Sequence, residues 1–328
     1  MVKVKLAIPK GHLGQDTLKM LSRAGYIISG QERTYRPSIN DPEIELKVLR
    51  PQEIPTFVAE GMQDVGISGY DWVKETEADV EILLDLEYSR VSIVLAVPKS
   101  MSDVEDLSSL LSRFVESDKT LRISTEYLNT ASNFIKSNEV YKMHFGDAEP
   151  FIVTPWWRRG DNDQVAIYLS FGATEAKPPE DADAIIEVVD TGTSLDQNNL
   201  VCVEKLMETS ALFFANKKAM SDPEKLVKIK DIMTLLTGVV DGVKKLHIFA
   251  NVEKKNLDRL LEELPALKRP TISSLSDPEW VAINTVIDKD RFLQILPKLR
   301  ELAQGLVVYE PRQVLPLEEI ASEDDVQC

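Results

Sequence analysis

Residues 183–195 read D-A-I-I-E-V-V-D-T-G-T-S-L. Ile185, Ile186, Val188 and Val189 are apolar and β-branched, so the first half reads as a strand; the small hydroxylated residues around Gly192 close it as a turn. Such a strand brings its carboxylates, Glu187 and Asp190, to one edge of a sheet. Carboxylates accept hydrogen bonds from sugar hydroxyls, while the N–H groups and hydroxyls of Thr191, Gly192, Thr193 and Ser194 can surround a phosphate. The pairing suits a phosphorylated ribose. A lone T-G-T-S is more often an ordinary polar turn, so the rest of the chain has to decide.

Upstream, Val2 to Ile8 alternates apolar residues with Lys3 and Lys5, breaks at Pro9 into K-G-H-L-G, and continues with the helical spacing of Thr17, Leu18, Met20 and Leu21. Glu45 to Leu49 is a second alternating strand, ending at Arg50. A helix through Phe57 follows, then D-V-G-I-S-G-Y-D (residues 64–71), a short buried strand with Gly66 and Gly69 and a helix start near Asp71. This βαβα rhythm implies a parallel or mixed sheet whose ligands collect at the carboxyl ends of the strands, where Lys10, Arg50 and Gly69 fall.

A Val- and Ile-rich strand from Tyr88 to Val97 carries Arg90 near its start, and a domain boundary is expected near Pro98. Leucines at helical spacing between Asp103 and Glu116, with Ser108 and Ser109 as possible caps, lead to a strand at Leu121–Tyr127 and a helix over Ala131–Ile135. Tyr141 to Asn162 has no clear period. Its W-W-R-R run (residues 156–159) could stack on a base, but more often such a run is a buried loop anchor or an oligomer contact. Val165 to Ser170 is a strand, and G-A-T-E-A (residues 172–176) turns toward the opening stretch. Glu204 to Ala215 is strand-like, and a helix follows from Asp222 to Val239.

From Leu246 onward the order is βαββαβ: strands at 246–252, 271–275, 281–286 and 306–309, with helices at 257–264 and 292–302. This is the ferredoxin-like pattern of small regulatory domains. Past Pro316 the residues are acidic and polar and read as a disordered tail. The expected class is therefore α/β, a two-lobed core like that of periplasmic binding proteins plus a C-terminal ferredoxin-like domain. The expected boundaries are 1–98 with 203–221 for lobe I, 99–202 for lobe II, 222–315 for the regulatory domain and 316–328 for the tail.

Composition narrows the functional classes. The 328 residues are 43% hydrophobic and 28% charged, enough chain for two or three domains with cores. A formal net charge of -16 disfavours nucleic-acid and anionic-membrane partners, so an anionic substrate must be met by a local basic cluster. Two cysteines, Cys202 and Cys328, support neither a disulfide framework nor a cysteine metal site and suggest a reducing compartment. The stretch M-V-K-V-K-L-A-I-P-K never reaches the apolar length of a signal peptide, so a cytoplasmic location is expected.

With these residues assembled, the chain resembles the ATP phosphoribosyltransferases of histidine biosynthesis, in the long form with a C-terminal regulatory domain. The resemblance rests on the P-K-G-H-L start, on I-P-T-F-V-A-E-G-M-Q-D-V-G-I-S-G (residues 54–69), on D-A-I-I-E-V-V-D-T-G-T-S-L, and on L-P-A-L-K-R-P-T-I-S-S-L-S-D-P-E-W-V-A-I (residues 264–283). It implies condensation of ATP with phosphoribosyl pyrophosphate, N1 of adenine attacking C1′ of the ribose as a magnesium-bound pyrophosphate leaves. Glu187, Lys10 and Asp190 would be catalytic. Glu187, Asp190, Thr191, Gly192, Thr193 and Ser194 would bind the phosphoribosyl group, and Lys10, Gly11, Arg50, Gly69, Asp71 and Arg90 would meet ATP. Mg2+ would be carried by the substrate pyrophosphate, without an assigned protein ligand. Histidine inhibition would act near Leu267, Thr271 and Thr285, and the chain would assemble as a homo-oligomer, up to a hexamer.

Two departures from the family pattern stand out. His12 replaces an arginine, losing a permanent charge and a bidentate fork. Residues from about His144 to Val165 look inserted. Two other readings remain: a catalytically weak regulatory paralogue, motivated by His12, and a non-enzymatic two-lobed protein that binds a small ligand.

Overall fold

The computed structural model describes residues 3–30, 34–264 and 270–315. The chain opens with β1 (Val4–Pro9), α1 (Gly11–Arg23), the short strands β2 (Ile28–Ser29) and β3 (Ser38–Ile39), and β4 (Ile44–Leu49). It continues with α2 (Ile54–Ala59), β5 (Val65–Gly69), α3 (Tyr70–Glu75) and β6 (Glu81–Asp85). Next come β7 (Val91–Pro98), α4 (Leu107–Ser117), β8 (Leu121–Thr125), α5 (Leu128–Ser137) and α6 (Glu139–Phe145). Then follow β9 (Pro150–Val153), β10 (Arg158–Arg159), β11 (Asn162–Leu169), β12 (Ala184–Val189), α7 (Thr193–Gln197) and β13 (Leu200–Thr209). The last third is β14 (Ala211–Ala215), α8 (Lys217–Met220), α9 (Pro223–Val243), β15 (Lys245–Glu253) and α10 (Lys254–Glu263), then β16 (Thr271–Ser274), β17 (Trp280–Asp288), α11 (Phe292–Leu302) and β18 (Ala303–Tyr309). None of the described helices is long and apolar enough to cross a membrane.

The strands form three main sheets, ordered β4-β1-β5-β14-β6, β10-β9-β11-β8-β12-β7-β13 and β16-β17-β15-β18. The class is the α/β one expected. In the seven-stranded sheet β9, β11, β8 and β12 run parallel, so their carboxyl ends share one edge. β7 runs antiparallel to β12, with Ser92 opposite Val189, and β13 runs antiparallel to β7, with Thr209 opposite Val91. That register brings the start of β7 and the ends of β12 and β13 to the same edge.

The expected boundaries put the strand ending at Pro98 in lobe I and divide the one after Leu200 between lobe II (to 202) and lobe I (from 203). Here both β7 and β13 pair within the seven-stranded sheet. Periodicity identifies a strand but not the sheet it joins, because the choice depends on partners far away in sequence. The aperiodic stretch also resolves. Asn138 caps α6 by accepting from the Val140 N–H at 2.9 Å, and β9 and β10 pair antiparallel. At α4 the cap is Asp106, while Ser109 supplies the returning half of a capping box.

By contact density the chain falls into two compact units. One takes Ala7–Leu13 and Leu49–Lys217; the other takes the residues up to Leu6, Gly14–Val48 and Lys218 onward. The first packs a core around Ile93, Leu95, Leu107, Leu121, Ile123 and Ile167. In the second, β15 to β18 realise the βαββαβ order as an antiparallel sheet, packed through Ile248, Val252, Ile283, Ile295 and Leu299. The expected tail, 316–328, lies outside the described residues.

Candidate active site

β12 is buried at Ile185 and Ile186 and rises to a half-buried Glu187. The loop beyond it is pinned by Leu195, which packs on Val94, Ala96, Ile185 and Leu200, so the polar residues between are held on an apolar anchor. Asp190, Thr191, Thr193 and Ser194 stay exposed. Gly192 has φ +78 and starts α7, a backbone state that L side chains rarely adopt. The Thr191 and Thr193 hydroxyls lie 2.9 Å apart, and the Ser194 hydroxyl donates to Glu175 at 2.6 Å.

Burial lifts the Glu187 carboxyl above the usual carboxylate range, and repulsion from Glu126 and Glu175 adds to the rise. The nearby Thr174 hydroxyl and the Val188 N–H, the latter bonded at 2.9 Å, pull the other way by favouring the ionised form. Glu126 in turn accepts from the Gln52 amide at 3.3 Å, which brings the turn after Arg50 to this strand edge. The Lys10 N–H donates to the Leu49 carbonyl at 2.9 Å, setting Lys10 beside the same turn. Gly11 and His12, both exposed, open α1 there.

A cavity of about 420 Å³ lies where β7, β12 and β13 meet. It is lined by Arg90, Asp190, Tyr70, Asp85, Glu208 and Ser210 among others. Arg90 leans toward Glu87 at 3.8 Å. The structure therefore gathers Arg90 and Asp190 around one space, with Lys10, Gly11 and Arg50 at separate strand ends.

Asp71, expected at the ATP site, is only 5% exposed. Thr209 donates its hydroxyl to one carboxylate oxygen at 2.8 Å, and Tyr127 donates to the other at 2.9 Å. Its side chain holds elements together rather than facing solvent, and burial holds its pKa above the usual range despite both bonds. Gly69 belongs to the same arrangement. A Cβ there would sit 2.0 Å from Asp71 Oδ1. Sequence reasoning missed Glu75, whose buried carboxylate accepts the Asn129 and Thr130 N–H groups, each at 2.9 Å, at the start of α5. It also missed Lys177, which donates to Ser124 and Ser170. Neither lies in a recognisable motif, so the sequence carried no signal for them.

The W-W-R-R run is not a buried anchor: Trp156 is 72% exposed and packs edge-on against Phe171 at 5.7 Å. The buried residue of that turn is Thr154, whose hydroxyl and N–H both donate to the Trp157 carbonyl. Of the residues expected near an effector, Thr271 is exposed on β16, Thr285 is buried on β17, and Leu267 lies outside the described residues. Among the described residues, no three His, Cys, Asp or Glu side chains stand together as a metal site.

Comparison with known proteins gives the family. Residues 50–238 match the model for HisG, ATP phosphoribosyltransferase, and residues 243–312 match the HisG C-terminal domain. The ATP phosphoribosyltransferase of Solibacter usitatus is 37% identical over 320 residues, covering 95% of this chain and 99% of that protein. That of Chlorobaculum parvum is 36% identical over 318 residues, covering 95% and 97%. The ATP phosphoribosyl transferase (HisG:HisZ) complex from Thermotoga maritima superimposes with TM-score 0.53 at 22% identity, over 71% of this chain and 98% of that one, a likeness of fold. The chain belongs to the ATP phosphoribosyltransferase family, pentosyltransferases that condense ATP with phosphoribosyl pyrophosphate in the first step of histidine biosynthesis.

Proposed function

We propose that the reaction takes place at the β12 edge, with Glu187 and Asp190 orienting the ribose and Thr191–Ser194 holding its 5′-phosphate. The observation that carries this is the placement of Asp190 and Arg90 on one cavity of about 420 Å³, at the end of the strand that bears a desolvated Glu187. As N1 of adenine attacks C1′, the bond from C1′ to the pyrophosphate oxygen breaks. The sugar gains positive character and the leaving group gains negative charge. Fixed carboxylates at the ribose and cations at the phosphates stabilise that separation better than they stabilise the ground state. Lys10 and the Gly11 N–H serve the pyrophosphate side, while Arg50 and Arg90 meet the remaining phosphates. Asp71 and Gly69 act indirectly, by holding α3 in place.

The substrate pyrophosphate would carry a divalent ion, Mg2+ in this reading, which would supply neutralisation of the leaving charge. The oxygen-rich strand edge suits a hard cation carried by its substrate. His12 stands at the start of α1, where an arginine would supply a permanent charge and a bidentate fork. Histidine acts as inhibitor through residues 222–315, around Thr271 and Thr285, in a homo-oligomer, up to a hexamer, in the cytoplasm. The βαββαβ sheet and the match of residues 243–312 to the HisG C-terminal domain support that reading.

The test mixes the full chain with ATP, phosphoribosyl pyrophosphate and magnesium and follows the near-ultraviolet absorbance of the N1-substituted adenine. Glu187→Gln should cut turnover and weaken phosphoribosyl pyrophosphate by about 1–3 kcal/mol in total. Unchanged kinetics in that variant would remove Glu187 from the site. Added histidine should inhibit, and light scattering should report an assembly larger than one chain.

A further inference from the structure

The hairpin of β9 and β10 carries a motif that the proposed mechanism leaves unused, W-W-R-R at residues 156–159. Its turn is tight. The Thr154 hydroxyl oxygen accepts from the Trp156 and Trp157 N–H groups at 3.3 and 3.0 Å, and the hydroxyl donates to the Trp157 carbonyl at 2.9 Å. Gly160, at φ +111, closes the hairpin where an added Cβ would collide with the Pro150 carbonyl. The backbone under Trp156 is therefore fixed while its ring stands in solvent. That ring meets Phe171, itself 69% exposed, edge-on. The Arg159 guanidinium lies 5.7 Å from the centre of the Trp157 ring.

The strand register sets this pair beside the ribose site. β9, β11, β8 and β12 run parallel, so the residues that follow them share one edge. Val153 is matched to Tyr168, which puts Trp156 and Phe171 each three residues beyond a registered pair. Tyr168 is matched in turn, through Ser124 on β8, to Ile185 on β12. By that register Phe171 stands level with Val188, the neighbour of Glu187, two strand spacings or about 10 Å along the edge. The turn that Phe171 opens is also tied to the phosphate loop, because Ser194 donates to Glu175 at 2.6 Å. We propose that Trp156 and Phe171 form the stacking platform for the adenine of ATP, with Arg158 and Arg159 beside it to attract the anionic nucleotide.

The chemistry of the nucleotide fits the order of these residues along the edge. N1 and N9 lie at opposite ends of a purine. With N1 turned toward the ribose at β12, N9 and its triphosphate lead back toward β10, where Arg158 is matched to Val153 at the same edge. A flat base gains from an aromatic face whatever its hydrogen-bonding pattern, and the edge-on contact of Trp156 with Phe171 leaves ring faces open to it. Charge points the same way. In a chain of net charge -16, Arg158 and Arg159 are adjacent, exposed and without an ion-pair partner among the described residues. A self-complementary contact between two copies of the chain would instead set these arginines against each other.

The proposal rests on placing the reaction at the β12 edge, so the experiment reads binding and turnover separately. ATP is titrated into the full chain while tryptophan fluorescence is followed, and KM for each substrate is measured from the absorbance of the N1-substituted adenine. ATP should quench the wild type. Trp156→Ala and Phe171→Ala should each raise KM for ATP about tenfold and leave KM for phosphoribosyl pyrophosphate unchanged. Both rings are exposed, so neither change removes a core contact. Trp156→Phe should recover most of the affinity and lose most of the quenching. Arg158→Gln combined with Arg159→Gln should raise KM for ATP at low salt and less so at high salt. A double Trp156→Ala, Phe171→Ala enzyme with wild-type KM for ATP overturns the proposal. So does a smaller assembly by light scattering at unchanged KM for ATP, which would make the patch a contact between copies. If ATP quenches Trp156 but no adduct forms, the stacking site stands and the reaction reading fails. If Glu187→Gln is impaired while the Trp156 and Phe171 variants keep their KM for ATP, only the stacking site fails.

Discussion

The Tyr127 hydroxyl donates to Asp71 Oδ2 at 2.9 Å, joining the turn after β8 in the seven-stranded sheet to α3, which follows β5 of the five-stranded sheet. The bond is buried, and the Tyr127 ring also stacks on Trp72 at 4.7 Å, so one residue couples the two elements by both a polar and an apolar contact.

Tyr127→Phe keeps the stacking and removes the donor, leaving a buried carboxylate oxygen unpaired. Unfolding by denaturant should show a loss of about 1–3 kcal/mol. A midpoint shift below the error of the measurement would mean that water replaces the hydroxyl.

The sign of the Asp71 effect follows from its raised pKa. In the folded state it keeps a proton that the unfolded chain has already released. Its contribution to stability is therefore fully present below the unfolded carboxylate range and is lost as pH rises through the folded value. Asp71→Asn should remove that part of the decline and flatten stability against pH above the ordinary carboxylate range; melting temperatures measured upward from there will show it.

Glu75 is buried at the start of α5 and accepts two N–H groups of its first turn. Glu75→Ala strips the helix of its acceptor and should cost about 1–3 kcal/mol. Hydrogen exchange at the Asn129 and Thr130 amides reads the effect locally, and both should speed up before the rest of α5.

At Gly192 nothing lies within 4 Å of an added Cβ, so the only obstacle to a side chain is φ +78. Gly192→Ala should destabilise by roughly 1 kcal/mol through backbone strain. Because the loop would relax away from its shape, KM for phosphoribosyl pyrophosphate should rise while KM for ATP holds; equal changes in both would argue against the loop as the phosphate cradle.

How much of this was legible beforehand depended on distance along the chain. Ile185 to Val189 announced a strand because β-branched residues prefer the pleated, half-buried surface, and the βαββαβ order could be read from periodicity alone. The burial of Asp71 could not, since its two partners, Tyr127 and Thr209, lie 56 and 138 residues away. At the Trp156 turn, aromatic composition suggested a buried loop anchor or an oligomer contact; Trp156 is exposed and Thr154 is the residue buried there.

The sequence by itself determined the alternation of strands and helices, the T-G-T-S loop with its two carboxylates, and the ferredoxin-like order at the C-terminal end, because each is written in neighbouring residues. Only the tertiary structure decided which sheet β7 and β13 join, which carboxylates are held inside and which line a cavity, and that Lys177 donates to Ser124 and Ser170. These depend on which strand ends meet at one edge. That is fixed by pairing between distant segments, on which local chemistry is silent.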